Sequence, residues 1–179
     1  MTRQALLLRG VNIGPRNRVP MAELRAALEE AGFEDVKTYL QSGNVVLSSK
    51  AKPEQTARKV GRVIQDAFGL EIAVVARTGA QLARVVARNP LGDVAKNPKR
   101  YQVSFLDGPL PAASKQKLEE ARVESERFVV HGREIYAWHP AGVARSKLWA
   151  ELAGRGLGVT ATARNWTTVT ALLALVDTS

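Results

Sequence analysis

Residues 5–12 read ALLLRGVN, residues 14–33 read GPRNRVPMAELRAALEEAGF and residues 36–49 read VKTYLQSGNVVLSS. The continuous apolar run Ala5 to Leu8 predicts a strand over 4–9, covered on at least one face. Gly10, Gly14, Pro15 and Pro20 break the chain into a polar loop. A helix is expected from Pro20, with Met21, Leu24, Leu28 and Ala31 at helical spacing and Gly32 as its stop. Val36 to Leu40 and Val45 to Ser49 then predict two strands around Gln41, Ser42, Gly43 and Asn44, a link carrying the glycine that a tight hairpin wants.

Pro53 opens a second predicted helix with Val60, Ile64 and Ala67/Phe68 in one stripe, and Glu71 to Val75 reads as a fourth strand. The order βαββαβ is that of the ferredoxin-like plait, in which two helices cover one face of an antiparallel sheet. A short helix with Leu82, Val85 and Val86 ends before Asn89. Residues 92–99, GDVAKNPK, are punctuated and polar and mark the expected junction between a unit at 1–91 and a related one at 92–179. In the second unit Arg100 to Leu106, Glu126 to Val130 and Glu134 to Trp138 read as strands, and residues 107–123 as turn and helix. Ala144 to Leu152 reads as a further helix and Thr162 to Val176 as the last, which closes the chain. The fold expected is therefore α+β, two ferredoxin-like α/β-plait subunits in tandem with mainly antiparallel sheets, the second less regular.

The chain has 179 residues, 45% of them hydrophobic, enough for a sizeable core. It has no cysteine and two histidines, His131 and His139, which excludes disulfides, thiolate metal sites and cysteine nucleophiles, so neither a metal nor a cofactor is expected. No run reaches the length of a membrane helix, and the polar start TRQ leaves no room for a basic leader, so a cytoplasmic location is expected. The formal charge of +9 favours an anionic partner, a small molecule or nucleic-acid phosphate. It is spread out: residues 1–89 hold 14 basic and 8 acidic side chains, so neither half is a cationic tail.

Three polar sets are candidates for binding. The loop after the first strand carries Asn12, Arg16, Asn17 and Arg18 among glycines, where backbone amides and guanidinia can approach an anion. It lacks both GxxxxGK[ST] and GxGxxG. Arg9, Gln41, Ser42 and Asn44 form a second set, with hydrogen bonding of the hairpin to its own backbone as the plainer explanation. Arg145, Ser146 and Lys147 with Thr160, Thr162, Arg164, Asn165, Thr167 and Thr168 form a third around the GRGLG turn, where Thr160 or Thr162 is expected to cap the last helix. No carboxylate or histidine has an evident catalytic partner: Glu124 and Glu126 read as solvated charge, and His139 stands beside Pro140 with no local acid. Tyr101, Phe105, Tyr136 and Trp138 lie on strands, and packing is preferred to base stacking for them.

The segments ALLLRGVNIG, VPMAELRAALEEAGFEDVKTYLQSGNVVLSS and TARNWTTVTALLAL closely resemble the bacterial proteins grouped as the domain of unknown function DUF1697. That resemblance implies an α+β fold of two related ferredoxin-like units and no established enzymatic activity. The family's recurrent polar positions correspond to Arg9, Gly10, Asn12, Gly14, Gln41, Ser42, Gly43, Asn44, Arg164, Asn165 and Thr168. Pro15 stands where a second glycine is common and stiffens the loop. The leading expectation is a non-catalytic binder of an anionic small molecule or partner through Arg9, Asn12, Arg16, Gln41, Ser42, Asn44, Arg164, Asn165 and Thr168. The alternatives are an enzyme acting on a phosphorylated or carboxylated metabolite, and a nucleic-acid accessory protein.

Overall fold

The first strand, β1 (Thr2–Leu8), lies inside a four-stranded sheet because both of its ladders are taken: it pairs antiparallel with β3 (Asn44–Ser49) and with β4 (Val74–Thr78). With β2 (Glu34–Tyr39) on the far side of β3, the order is β2-β3-β1-β4. In this computed structural model, residues 1–177 are described. They divide into two compact units, residues 1–83 with 172–177, and residues 84–171.

In the first unit Leu6, Leu8, Val45 and Leu47 share one face of the sheet, as the two-residue period requires. Helix α1 (Met21–Glu30) lays Met21, Leu24 and Leu28 on that face, and α2 (Pro53–Phe68) adds Ala57, Val60 and Ile64. Proline at the first position opens α2, and Gly69 at φ 68° ends it in the left-handed conformation. The fourth strand runs over Val74–Thr78 rather than Glu71 to Val75. Its register, Leu8↔Val74 to Gln4↔Thr78, carries Arg77 into the strand, beyond the expected end at Val75. The same unit takes in residues 172–177, with Arg3 Nη2 donating to the Leu175 carbonyl (3.2 Å).

The second unit repeats the order. Strands β5 (Tyr101–Leu106), β6 (Arg127–His131), β7 (Glu134–Trp138) and β8 (Ala161–Asn165) form a sheet ordered β6-β7-β5-β8. Its core joins Leu106, Ile135 and Ala137 to Leu118 of α4 (Ala112–Ala121) and to Leu148 and Leu152 of α5 (Lys147–Ala153). Two expectations are corrected here. Residues 161–165 are a strand, so the last helix, α6, begins at Trp166 and not at Thr162. Five residues are too few to show a period against a helical stripe behind them, and pairing with β5 from Leu106↔Ala161 to Gln102↔Asn165 decides the matter. The second sheet is also no less regular than the first: among the described pairings the register shift lies in the first, between Glu34 and Lys37 of β2. Helix α3 (Gly79–Arg88) follows β4 as α6 (Trp166–Asp177) follows β8.

Among the described residues no helix is long and apolar enough to cross a membrane. Both units are α+β, each built on one antiparallel sheet.

Candidate functional site

Because β1 and β3 are antiparallel with Leu7 opposite Asn44, the loop leaving β1 and the turn entering β3 share one end of the sheet. The Leu8 N–H donates to the Gly43 carbonyl there (2.9 Å). Arg9, Asn12, Arg16, Gln41, Ser42 and Asn44 are thereby brought to the same end of the first unit.

Asn12 ties the two segments. Its Nδ2 donates to the Val19 carbonyl (2.9 Å) and to the Gln41 carbonyl (2.7 Å), and its Oδ1 accepts from the Val19 N–H (2.8 Å). Both amide protons and the amide oxygen are thus engaged within the protein, which makes Asn12 a staple between loop and turn. Asn44, fully buried, donates from Nδ2 to the Tyr39 carbonyl (2.8 Å) and to Ser42 Oγ (3.2 Å), as the hairpin reading anticipates.

The backbone of these segments is unusual. Gly10, Asn12, Gly14, Asn17, Leu40 and Gly43 all have φ between 52° and 90°. Leucine gains no local hydrogen bond in that region, so Leu40 at φ 59° carries strain. Gly43 is obligatory for a second reason: a Cβ there would collide with Val11 Cγ2 and lie 2.9 Å from Leu8 Cβ. Inside the loop the Asn12 N–H donates to the Asn17 carbonyl, and a backbone bridge joins Ile13 to Arg16. The tip exposes Ile13 (71%), with Arg16 and Arg18 also exposed and neither holding an ion pair among the described residues. Gln41 and Ser42 are exposed beside Leu40, and Arg9 is half-buried.

The remaining predicted residues belong to the second unit, and each has an internal task. Arg164 is buried, its Nη1 donating to Thr162 Oγ1 (2.7 Å) and to the Ala163 carbonyl (2.8 Å); burial lowers its pKa to about 10. Asn165, not Thr160 or Thr162, caps α6, its Oδ1 accepting from the Thr168 N–H (3.0 Å). Tyr101, Phe105 and Tyr136 are buried. Trp166 stacks on Tyr101 with ring centroids 4.8 Å apart.

A cluster in the second unit was missed by the sequence reading. Glu126, expected on a solvated surface, is 3% exposed, and His139 is wholly buried. His139 Nδ1 lies 2.7 Å from Glu126 Oε2, and the Ser146 hydroxyl donates to the same oxygen (2.6 Å) while accepting from the Trp149 N–H (3.0 Å) as the cap of α5. Burial alone would push the Glu126 carboxyl up, but bonds from Ser146, His139 and the Val123 amide outweigh it, and its pKa is lowered. The trio has the residue types of a hydrolase triad without its geometry. The serine proton goes to the carboxylate, and His139 Nε2, the nitrogen that would activate a serine, is buried with no partner among the described residues. The spacing of Ser146 before Leu148 and Leu152 was the available signal for the cap; nothing local links it to Glu126 or His139.

A family model described as "Protein of unknown function (DUF1697)" matches residues 1–136, which include both the RGVN loop and the QSGN turn. The chain belongs to the DUF1697 family. Its TARNWTTV segment lies beyond the matched residues. Among solved structures, this DUF1697 chain is similar to the conserved bacterial protein SP0830 from Streptococcus pneumoniae. The TM-score is 0.79 at 22% identity, over 98% of this chain and 99% of that one, a likeness of fold. No match was found among curated proteins.

Proposed function

We propose that this DUF1697 chain is a non-catalytic binder of a phosphate-bearing anion, and that the loop 9–18 with the turn 40–44 is its site. The observation that carries this reading is the Asn12 staple, which fixes two strained segments against each other while Arg16 and Arg18 remain exposed without a carboxylate. Left-handed residues at 10, 12, 14 and 17 approach the alternation from which anion-binding nests of backbone N–H groups are made. Pro15 stiffens the loop, which favours a preformed cradle over one that closes on its ligand. Gln41 and Ser42 supply neutral donors at the rim. Asn12 and Asn44 act by position, and Arg164, Asn165 and Thr168 contribute to the fold of their own unit. We also read each βαββαβ unit as a ferredoxin-like plait, supported by its strand order.

The test is titration with inorganic pyrophosphate and with a short single-stranded oligonucleotide at low salt. Binding that weakens with added salt and is lost in the Arg16→Ala/Arg18→Ala double variant supports the site; tighter binding of the oligonucleotide makes nucleic acid the partner. Affinity for both probes unchanged in the double variant overturns the proposal.

A further inference from the structure

A cavity of about 350 Å³ opens in the first unit between the α1–β2 turn and the junction of β3 with α2. Phe33 and Glu34 line one side, and Ser49, Lys50, Gln55 and Lys59 the other. Its volume is at the small end of the range for small-molecule sites.

Its lining has an excess of donors. Ser49 Oγ accepts from the Ala51 N–H (3.1 Å) and bonds Thr56 Oγ1 (2.9 Å), so the two hydroxyls at its floor are spent on each other and on the backbone. Gln55 Oε1 accepts from the Lys52 N–H (3.3 Å), which leaves its Nε2 to donate. Neither Lys50 nor Lys59 has an ion pair among the described residues, and Lys59 Nζ instead sits 4.6 Å above the Phe33 ring. The ammonium is thus parked on an aromatic face, a contact weak enough for an anion to join or replace. Behind the wall Gln4, 1% exposed, donates from Nε2 to the carbonyl of Ala51, another lining residue, while its Oε1 has no partner.

Two features give the ligand its character. The Phe33 ring with the Met1 and Ala51 side chains offers an apolar wall, and the two lysines with Glu34 leave the lining side chains at one net positive charge. Glu34 stands at the register shift of β2, where Asp35 takes φ 54° and its Oδ2 accepts from Ser48 Oγ (2.8 Å). Bulges of this kind re-aim side chains beside binding sites.

We infer that this cavity is a second ligand site, separate from the loop site, for a small monoanionic carboxylate with a flat or branched apolar body. The carboxylate bridges Lys59 and Gln55, the body lies on Phe33, and Glu34 disfavours dianions such as phosphomonoesters.

The experiment is an amide NMR titration of the full chain with phenylacetate, with benzyl alcohol and phenyl phosphate in parallel. Saturable shifts are expected at Phe33, Ser49, Ala51 and Gln55 with phenylacetate, and the amides of Gly10, Gly14 and Gly43 stay unmoved, so the result is independent of the loop proposal. Losing the charge-assisted contact lowers affinity about tenfold, both for benzyl alcohol and for phenylacetate with Lys59→Met. Lys59 is exposed, so that variant folds. Equal binding of benzyl alcohol, tighter binding of phenyl phosphate, unchanged affinity in Lys59→Met, or no saturable shift at tens of millimolar (~50 mM, far weaker than a built site gives) would each overturn it.

Discussion

Arg77 and Arg164 hold the same step in the two units: each is the fourth residue of its sheet's fourth strand, and each turns its Nη1 back onto the carbonyl of the preceding alanine, Ala76 at 2.9 Å and Ala163 at 2.8 Å. They are 2% and 7% exposed. The next residue caps a helix in both places: Thr78 Oγ1 accepts from the Gln81 N–H, and Asn165 Oδ1 from the Thr168 N–H. Residues 75–78, VART, and 162–165, TARN, are thus one structural phrase written twice: a strand that ends on a buried guanidinium and hands over to a capped helix. Lysine lacks the planar fork that serves a carbonyl and further partners together. Arg164→Lys is expected to lower stability by about 2 kcal/mol, and Arg77→Lys by a similar amount, read as a shifted urea midpoint at unchanged slope.

The alkaline limb of stability follows from two neighbouring strands of the second unit. Burial raises the Tyr101 pKa to about 12, so its contribution is complete below pH 10, where the unfolded phenol is still neutral, and is lost as the pH rises toward 12. Burial lowers Arg164 to about 10, so above that pH the unfolded chain holds a proton the folded one has released, and this contribution rises with pH and opposes that of Tyr101. Absorbance titration of the phenolates is expected to show delayed ionisation in the folded chain. Tyr101→Phe removes the hydroxyl that accepts from the Leu91 N–H (3.4 Å), costs ~1 kcal/mol at neutral pH, and makes the change in stability between pH 10 and pH 12 more positive than in the parent chain.

At the acid end the governing group is Glu126. Its folded pKa lies below the ordinary value, so its stabilisation is present in full above the unfolded pKa near 4.5 and disappears as the pH falls through the folded value. Glu126→Gln keeps the shape but removes the charge that Ser146 and His139 address, and is expected to cost about 2 kcal/mol at pH 7. Urea midpoints measured from pH 7 down to pH 3 are expected to converge for the two proteins. A constant gap across that range would mean that the carboxylate acts through packing alone.

Legibility from the sequence was uneven, for physical reasons. The first unit was readable because its strands and helices are long enough to show their periods and are punctuated by Pro20, Gly32, Gly43 and Pro53. Residues 161–165 were not, since a five-residue strand ending in arginine and asparagine has no periodicity of its own and takes its state from β5. The loop and turn could be marked as polar, but whether Arg9 and Gln41 share an end of the sheet depends on strand boundaries, and Leu7↔Asn44 fixes it. Glu126, His139 and Ser146 are separated by 13 and 7 residues, and only the packing of β6, β7 and α5 makes them neighbours.

Gly43 is where fold and candidate site meet most tightly. Alanine there meets two penalties: φ of 90°, and a Cβ set 2.9 Å from Leu8 Cβ, which is anchored in the central strand and cannot move aside. Gly43→Ala is expected to cost roughly 2–4 kcal/mol and to push the turn away from Val11. Gly14→Ala is the matched control, since the same left-handed φ is required there but nothing lies within 4 Å of the new methyl, and its cost is expected near 1 kcal/mol.

The staple itself is tested by Asn12→Asp, which keeps size and the acceptor for Val19 N–H but deletes both donors and sets a carboxylate oxygen against the carbonyls of Val19 and Gln41. Loop and turn lose their direct link and gain repulsion in its place, while the core beneath, from Leu6 to Val60, is untouched. Hydrogen exchange is expected to speed up at residues 10–19 and 40–44 and to stay unchanged in β1 and β3. A global loss of protection would place the staple in the folding core instead. If the loop site is a preformed cradle, pyrophosphate affinity falls in Asn12→Asp although both Arg16 and Arg18 remain, because the cost of ordering the loop is transferred to the binding step.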